Sequence, residues 1–123
     1  MRKTESRRAE GDRGEKKAAD YLESRGCRIL DRNFHSRYGE IDLIYQEDNV
    51  LCFGEVKYRK DKNKGYPAEA VDRRKQTVIS RVSDFYRMKN GLGEEICYRF
   101  DVIGINNESI EWIKNAFEYV LPR

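Results

Sequence analysis

Two runs of strand-forming residues, Glu40–Glu47 and Val50–Tyr58, are separated only by Asp48-Asn49. Aspartate and asparagine tolerate the backbone that a two-residue turn demands, so this spacing implies an antiparallel hairpin and sets its register. Glu47 then faces Val50, and counting back along both strands sets Asp42 opposite Glu55 and Glu40 opposite Lys57. Side chains alternate along a strand. One face of the hairpin therefore presents Glu40, Asp42, Glu55 and Lys57, and the other Ile41, Leu43, Cys52, Gly54 and Val56. Glycine inside a strand often marks a bulge; a bulge at Gly54 would shift the pairing by one residue and still leave Glu55 and Lys57 on a shared face.

Like charges directly opposed destabilise a sheet. Two carboxylates at that spacing, ~5 Å, share a proton or are neutralised by a cation. Oxygen ligands from aspartate and glutamate suit a hard divalent ion such as magnesium. Lys57 places a positive charge beside it. That is the combination phosphodiester hydrolysis needs: a polarised phosphate, an acidified water and a cation for the charge that builds on phosphate oxygens. The plain alternative is a solvated strand face on which Lys57 offsets an acidic mismatch.

The flanking segments complete a fold. A helix is expected from Ser6 or Arg7 to Arg25, capped by Ser6 and stopped by Gly26, with Met1–Glu5 a frayed arm. Its stripe of Gly11, Glu15, Ala18, Ala19 and Leu22 is made of small residues apart from Glu15 and Leu22. A carboxylate inside such a stripe is costly unless it is paired, either within a site or with a nearby lysine. Strands follow at Cys27–Asn33 and at the two hairpin segments, then a Lys- and Gly-rich loop over Arg59–Tyr66. Pro67 suits the first turn of a long helix reaching Asn90, with Gly91 as its stop. Lys75 interrupts that helix's apolar stripe of Val71, Val78, Ile79, Val82, Phe85 and Tyr86, and either snorkels to solvent or reaches across the sheet to a phosphate. Strands at Cys97–Ile105 and Ser109–Ala116 close the chain. The order α-β-β-β-α-β-β predicts an α/β domain. In it a mixed β-sheet flanked by helices contains one parallel pair made by the helical crossover.

Charged residues make up 38% of the chain, against roughly 25% in ordinary domains, so a small core under a charged surface is expected. The net charge is only +3, but the signs are uneven. Cations gather in Met1–Lys17 and in Lys57–Lys75, and acids dominate from Glu94 onward. Such zones suit a polyanion. Arg13, Lys16, Arg59, Lys75 and Gln76 are the candidate nucleic-acid contacts. No apolar run approaches a membrane span and the N-terminus lacks a signal-peptide core. Cys27, Cys52 and Cys97 are odd in number and widely spaced, which argues against a disulfide scaffold or zinc ribbon and fits reduced thiols in the cytoplasm. His35 is the only histidine and fits a loop or strand end better than a catalytic position.

Gly39-Glu40-Ile41-Asp42-Leu43-Ile44 followed by Glu55-Val56-Lys57-Tyr58-Arg59 resembles the signature of PD-(D/E)XK nucleases. Nearly the whole chain after its first ten residues resembles the small bacterial YraN-like family, similar to archaeal Holliday-junction resolvases. The supporting segments are Gly14-Glu15-Lys16-Lys17-Ala18-Ala19-Asp20-Tyr21-Leu22, Pro67-Ala68-Glu69-Ala70-Val71, Lys75-Gln76 and Arg99-Phe100-Asp101-Val102. The resemblance implies a restriction-endonuclease-like core. It implies Asp42 and Glu55 as metal ligands, with the Val56 backbone carbonyl and Glu15 as further ligands, and Lys57 as the catalytic lysine. It also implies magnesium, with manganese as the alternative ion, branched DNA as substrate, and a homodimer. Ile41 stands where the superfamily name has proline, and Gly54 where relatives carry a larger apolar residue. Two other classes stay open at this point. One is a nucleic-acid-binding module that keeps the fold without turnover. The other is an adaptor in DNA metabolism that uses its acidic C-terminal section.

Overall fold

The computed structural model describes residues 3–58, 71–106 and 109–121, with side chains described from residue 13 onward. The chain runs α1 (Lys3–Ser24), β1 (Arg28–Ser36), β2 (Gly39–Glu47), β3 (Val50–Tyr58), α2 (Arg73–Lys89), β4 (Tyr98–Ile105) and β5 (Ile110–Phe117). One five-stranded sheet results, in the order β1-β2-β3-β4-β5. All neighbours are antiparallel except β3 and β4, which run parallel on either side of the α2 crossover. This is the mixed, restriction-endonuclease-like order expected from the sequence. No described helix is long and apolar enough to cross a membrane.

Each helix covers one face of the sheet. Ala18, Ala19 and Leu22 of α1 pack on Leu43, Tyr45, Cys52 and Ile103. Ile79, Val82 and Tyr86 of α2 pack on Ile44, Leu51, Phe53 and Phe100. The strands are thus apolar on both sides in the middle of the sheet, as a doubly covered sheet requires.

Several element ends differ from expectation. α1 begins at Lys3, so Ser6 lies inside the helix and part of the expected arm is helical. Gly26, at φ 91°, ends it as expected. Pro67 lies outside the described residues, and α2 opens only at Arg73. Asp72 is its cap, its carboxylate accepting from Lys75 N at 2.8 Å. An aspartate at that position satisfies a free amide and meets the positive end of the helix dipole. The other end follows expectation. Gly91 N donates to Met88 O and Leu92 N to Arg87 O, a Schellman closure around Gly91 at φ 65°. β1 runs past Asn33 to Ser36, because Asn33 takes a left-handed turn at φ 50° and the strand resumes beyond it. His35 is therefore a strand residue, paired with Glu40, whose Oε2 lies 3.3 Å from His35 Nδ1.

The hairpin register is the expected one. Glu47 faces Val50 and the ladder continues regularly to Leu43 opposite Gly54, with Asp48 at φ 52° in the turn. Gly54 is not a bulge. A Cβ there would lie 2.9 Å from both Ile103 Cδ1 and Tyr45 Cε1, so the glycine makes room for the α1-side core.

Candidate active site

The regularity of the hairpin ends one residue pair before the two acids. No Cα pairing joins Asp42 to Glu55, and Asp42 Oδ2 accepts instead from Val56 N at 2.8 Å. The neighbours of Asp42 explain the change. Ile41 belongs to the α2-side core and Leu43 to the α1-side core, so the expected alternation, with both on one face, breaks at Asp42. The aspartate is the odd residue of that break, and its carboxylate takes a backbone amide of β3 that the ladder leaves over. In an extended strand the N–H and C=O of one residue leave on the same side. The Val56 carbonyl therefore also faces the β2 side.

Glu55 follows Leu51 and Phe53 on the α2 side of β3 and is buried, with 5% of its side chain exposed. Its carboxyl group lies beside that of Asp42, close enough for the two to act on each other's charge. Two ammonium groups reach the same oxygen: Lys57 Nζ lies 3.7 Å and Lys75 Nζ 3.6 Å from Glu55 Oε2. Lys57 comes from the next α2-side position of β3, and Lys75 from the first turn of α2. Lys75 is partly exposed and turns its ammonium group to Glu55, which leaves its role toward a phosphate open.

Burial, then the charge of Asp42, then the hydrogen bond between the two groups push the Glu55 carboxyl up to about 8, against the pull of Lys75 and Lys57. A proton held more tightly in the folded than in the unfolded chain stabilises the fold at low pH. That contribution fades as pH rises from the ordinary carboxylate value of 4.5 toward 8. Glu55→Gln removes the titration. In metal-free buffer the variant is expected to be more stable than the parent at pH 9, on the order of 3 kcal/mol. The gap should close as pH falls to the ordinary carboxylate range. Urea titrations at the two pH values measure it, and a gap that is equal at both would contradict the burial of an ionisable Glu55 beside Asp42.

The donor set fits a hard divalent cation. Asp42 and Glu55 supply carboxylate oxygens from adjacent strands, and the Val56 carbonyl faces the same gap. Glu15 is half-buried on α1, on the other side of the sheet from α2, with one carboxylate oxygen shielded from solvent. The helix leads through Gly26 into β1 at the hairpin-turn end of the sheet, so Glu15 lies on the turns directed toward the opposite end, where the acids are. It does not close with Asp42 and Glu55 into a cluster of three carboxylate, thiolate or imidazole ligands among the described residues.

The other candidates divide. Arg13 is exposed, and Lys16 is exposed but paired with Asp20 at 3.1 Å. The Gln76 amide donates to Val71 O at 2.9 Å, which ties down the entry to α2 rather than facing the acids. Arg59 lies outside the described residues. The break at Asp42 is not visible in the sequence, because two buried residues flanking a polar one look like plain alternation.

The profile of an uncharacterised protein family, UPF0102, matches residues 14–105. Relatives match over nearly their full lengths. A UPF0102 protein of Lachnoclostridium phytofermentans is 42% identical over 113 residues, 92% of this chain and 96% of that protein. One from Persephonella marina is 42% identical over 109 residues, 88% of this chain and 92% of the relative. One from Chromohalobacter salexigens is 43% identical over 108 residues, 85% and 86% of the two chains.

Proposed function

The chain belongs to the UPF0102 family, and from the site at the ladder break we propose that it is a metal-dependent DNA endonuclease, selective for branched or otherwise structured DNA. The observation that carries this reading is the convergence of Asp42, Glu55, Lys57 and Lys75, with both ammonium groups within 3.7 Å of one buried carboxylate oxygen. Burying Glu55 beside a second acid costs stability, and a purely structural site would replace one of them. The resemblance of the surrounding segments to PD-(D/E)XK nucleases supports the same reading.

Asp42 and Glu55, with the Val56 carbonyl, would hold magnesium or manganese. When bound, that ion supplies charge neutralisation and Lewis-acid polarisation of the phosphate. The chain's own groups do the rest. Asp42 is oriented by the Val56 amide, so its other oxygen is held in place before substrate arrives. Glu55 is fixed by its neighbours in the α2-side core. Lys57 and Lys75, whose ammonium groups stand beside Glu55, would stabilise the negative charge that grows on the non-bridging oxygens of the scissile phosphate. Two symmetric cuts need two such sites, so the working form is proposed to be a homodimer.

The test is incubation of the purified protein with four-way, flapped, nicked, single-stranded and plain duplex DNA, with magnesium, with manganese and with a chelator. Metal-dependent cleavage of the branched forms ahead of the plain duplex is expected. Retained binding with no cleavage of any form under any metal would leave only the non-catalytic binding module.

A further inference from the structure

We infer that the hollow between the β1–β2 turn and the outer flank of α2 receives an unpaired nucleotide of the DNA substrate, with its base beside Tyr38 and its phosphates on Arg37 and Arg81. The inference rests on the nuclease reading and adds the form of substrate that the same site takes.

The hollow measures about 390 Å³ and is lined by Tyr38, Arg81, Asp84, Phe85 and Met88. That volume is in the range of small-ligand sites. Its wall is apolar where a base would lie. Tyr38 and Met88 are 37% and 69% exposed, two of the four large apolar side chains that the described surface leaves open. Its rim is cationic. The guanidinium carbons of Arg37 and Arg81 lie 5.0 and 5.3 Å from the centre of the Tyr38 ring. Arg37 Nη2 also donates to Tyr38 Oη at 2.9 Å. Among the described residues neither guanidinium forms an ion pair with a carboxylate. The acid in the hollow, Asp84, is already engaged by Arg87 and the Tyr119 hydroxyl.

A guanidinium resting on an exposed ring is weakly held, so a phosphate can draw it off and leave the ring face to a base. Every base has such a face, but a paired base keeps it inside the stack. A recess with an aromatic wall and a cationic rim therefore prefers an unpaired nucleotide to a duplex. Its position is also suitable. Lys75, Val78 and Arg81 recur at every third residue and form a ridge along α2, leading from the carboxylates to the hollow. At 1.5 Å per residue, Arg81 lies about 9 Å along the axis from Lys75, the span of two to three stacked nucleotides. Gly39 anchors the turn against this ridge: at φ 145°, it leaves no space for a side chain, since a Cβ would lie 2.5 Å from Val78 Cγ1.

Binding is measured in a chelator, so that cleavage plays no part, with a short single-stranded deoxyoligonucleotide and a duplex of the same length. Tyr38→Ala is expected to weaken the single strand by about tenfold or more and the duplex by less than about threefold, while Tyr38→Phe binds both as the parent does. Arg81→Gln is expected to weaken the single strand and lower its salt slope by about one. The inference is overturned if the parent does not bind the single strand, or if Tyr38→Ala binds both probes as the parent does or weakens both equally. It is also overturned if that substitution instead turns a dimer into a monomer, which would make the hollow an interface between copies. Metal-dependent cleavage by the parent separates the two readings. Cleavage without the Tyr38 effect removes only the hollow, and the Tyr38 effect without cleavage removes only the nuclease.

Discussion

Asp42→Asn and Glu55→Gln are each expected to reduce magnesium-dependent cleavage of DNA on the order of a thousandfold or more, with the fold intact. Both substitutions keep the shape of the side chain. The amide that replaces Asp42 can still accept from the Val56 N–H through its carbonyl oxygen, and the amide that replaces Glu55 can still donate to Asp42. What each removes is one negative charge and one hard ligand. A cation left with a single carboxylate binds weakly, and the two lysines then have no competitor for the remaining acid. Binding in the absence of metal should move the other way. On the proposed reading a phosphate comes to Asp42 and Glu55, so deleting the Asp42 charge removes a repulsion and should tighten binding, while Glu55→Gln should bind as the parent does below about pH 8, where Glu55 holds a proton, and more tightly above it. A combined outcome of lost turnover and kept or improved binding separates a chemical role from a binding role. Cleavage by both variants at the parent's rate would dispose of the assignment. The double variant should be no slower than the slower single one, because the two ligands act as a unit.

How far the sequence foretold this site depends on the physics of each part. The hairpin register was legible because one local feature controls it: Asp48 accepts a positive φ, of 52°, and a two-residue turn leaves no freedom in the pairing. Lys75 was legible because a cation in an apolar helical stripe needs an explanation that packing does not give. The start of α2 was not. Proline and aspartate both signal a first turn, and the cap at Asp72, which satisfies an amide, decided the point at which the helix begins. The break at Asp42 was hidden for a different reason. Both faces of this sheet are covered, so Ile41 and Leu43 are each buried wherever they point, and the pattern of apolar residues carries no information about a change of face. The hollow at Tyr38 was hidden because its parts meet only in three dimensions, a turn of the sheet against the far flank of a helix.

The same device, an aspartate at a ladder break, occurs a second time in the molecule, and there it serves the opposite end. β4 and β5 lose register between Phe100 and Val102. Asp101 sits in the gap, fully buried, and its Oδ1 accepts from Asn115 N at 2.9 Å, as Asp42 accepts from Val56 N. Asp101, however, faces donors only. Arg99 grips it through Nε at 2.8 Å and Nη2 at 3.1 Å, Trp112 Nε1 donates at 3.1 Å, and the Tyr45 hydroxyl donates as well. Burial and the adjacent carboxylate push the Tyr45 phenol far above its usual range, so it stays a donor. Arg99 continues to Glu47 at 2.8 Å, and Glu47 to Lys114 at 2.7 Å, so the network ties β2, β4 and β5 together. With its charge compensated and its lone pairs taken, Asp101 has nothing left to offer a substrate, whereas Asp42 meets another acid and stays half-exposed. Asp101→Ala is therefore expected to leave Arg99 with only Glu47, which Lys114 already shares, and to take a partner from the Tyr45, Trp112 and Asn115 donors, costing about 3–5 kcal/mol and lowering the melting temperature on the order of 15 °C. Trp112 is the only tryptophan and loses a hydrogen bond in the variant, so its emission follows both the local change and the unfolding transition. A melting temperature within a few degrees of the parent's would mean that water or a rearranged Arg99 replaces the carboxylate at little cost. In that case the contrast between a sealed aspartate that holds strands and an open one proposed to do chemistry would have to be given up.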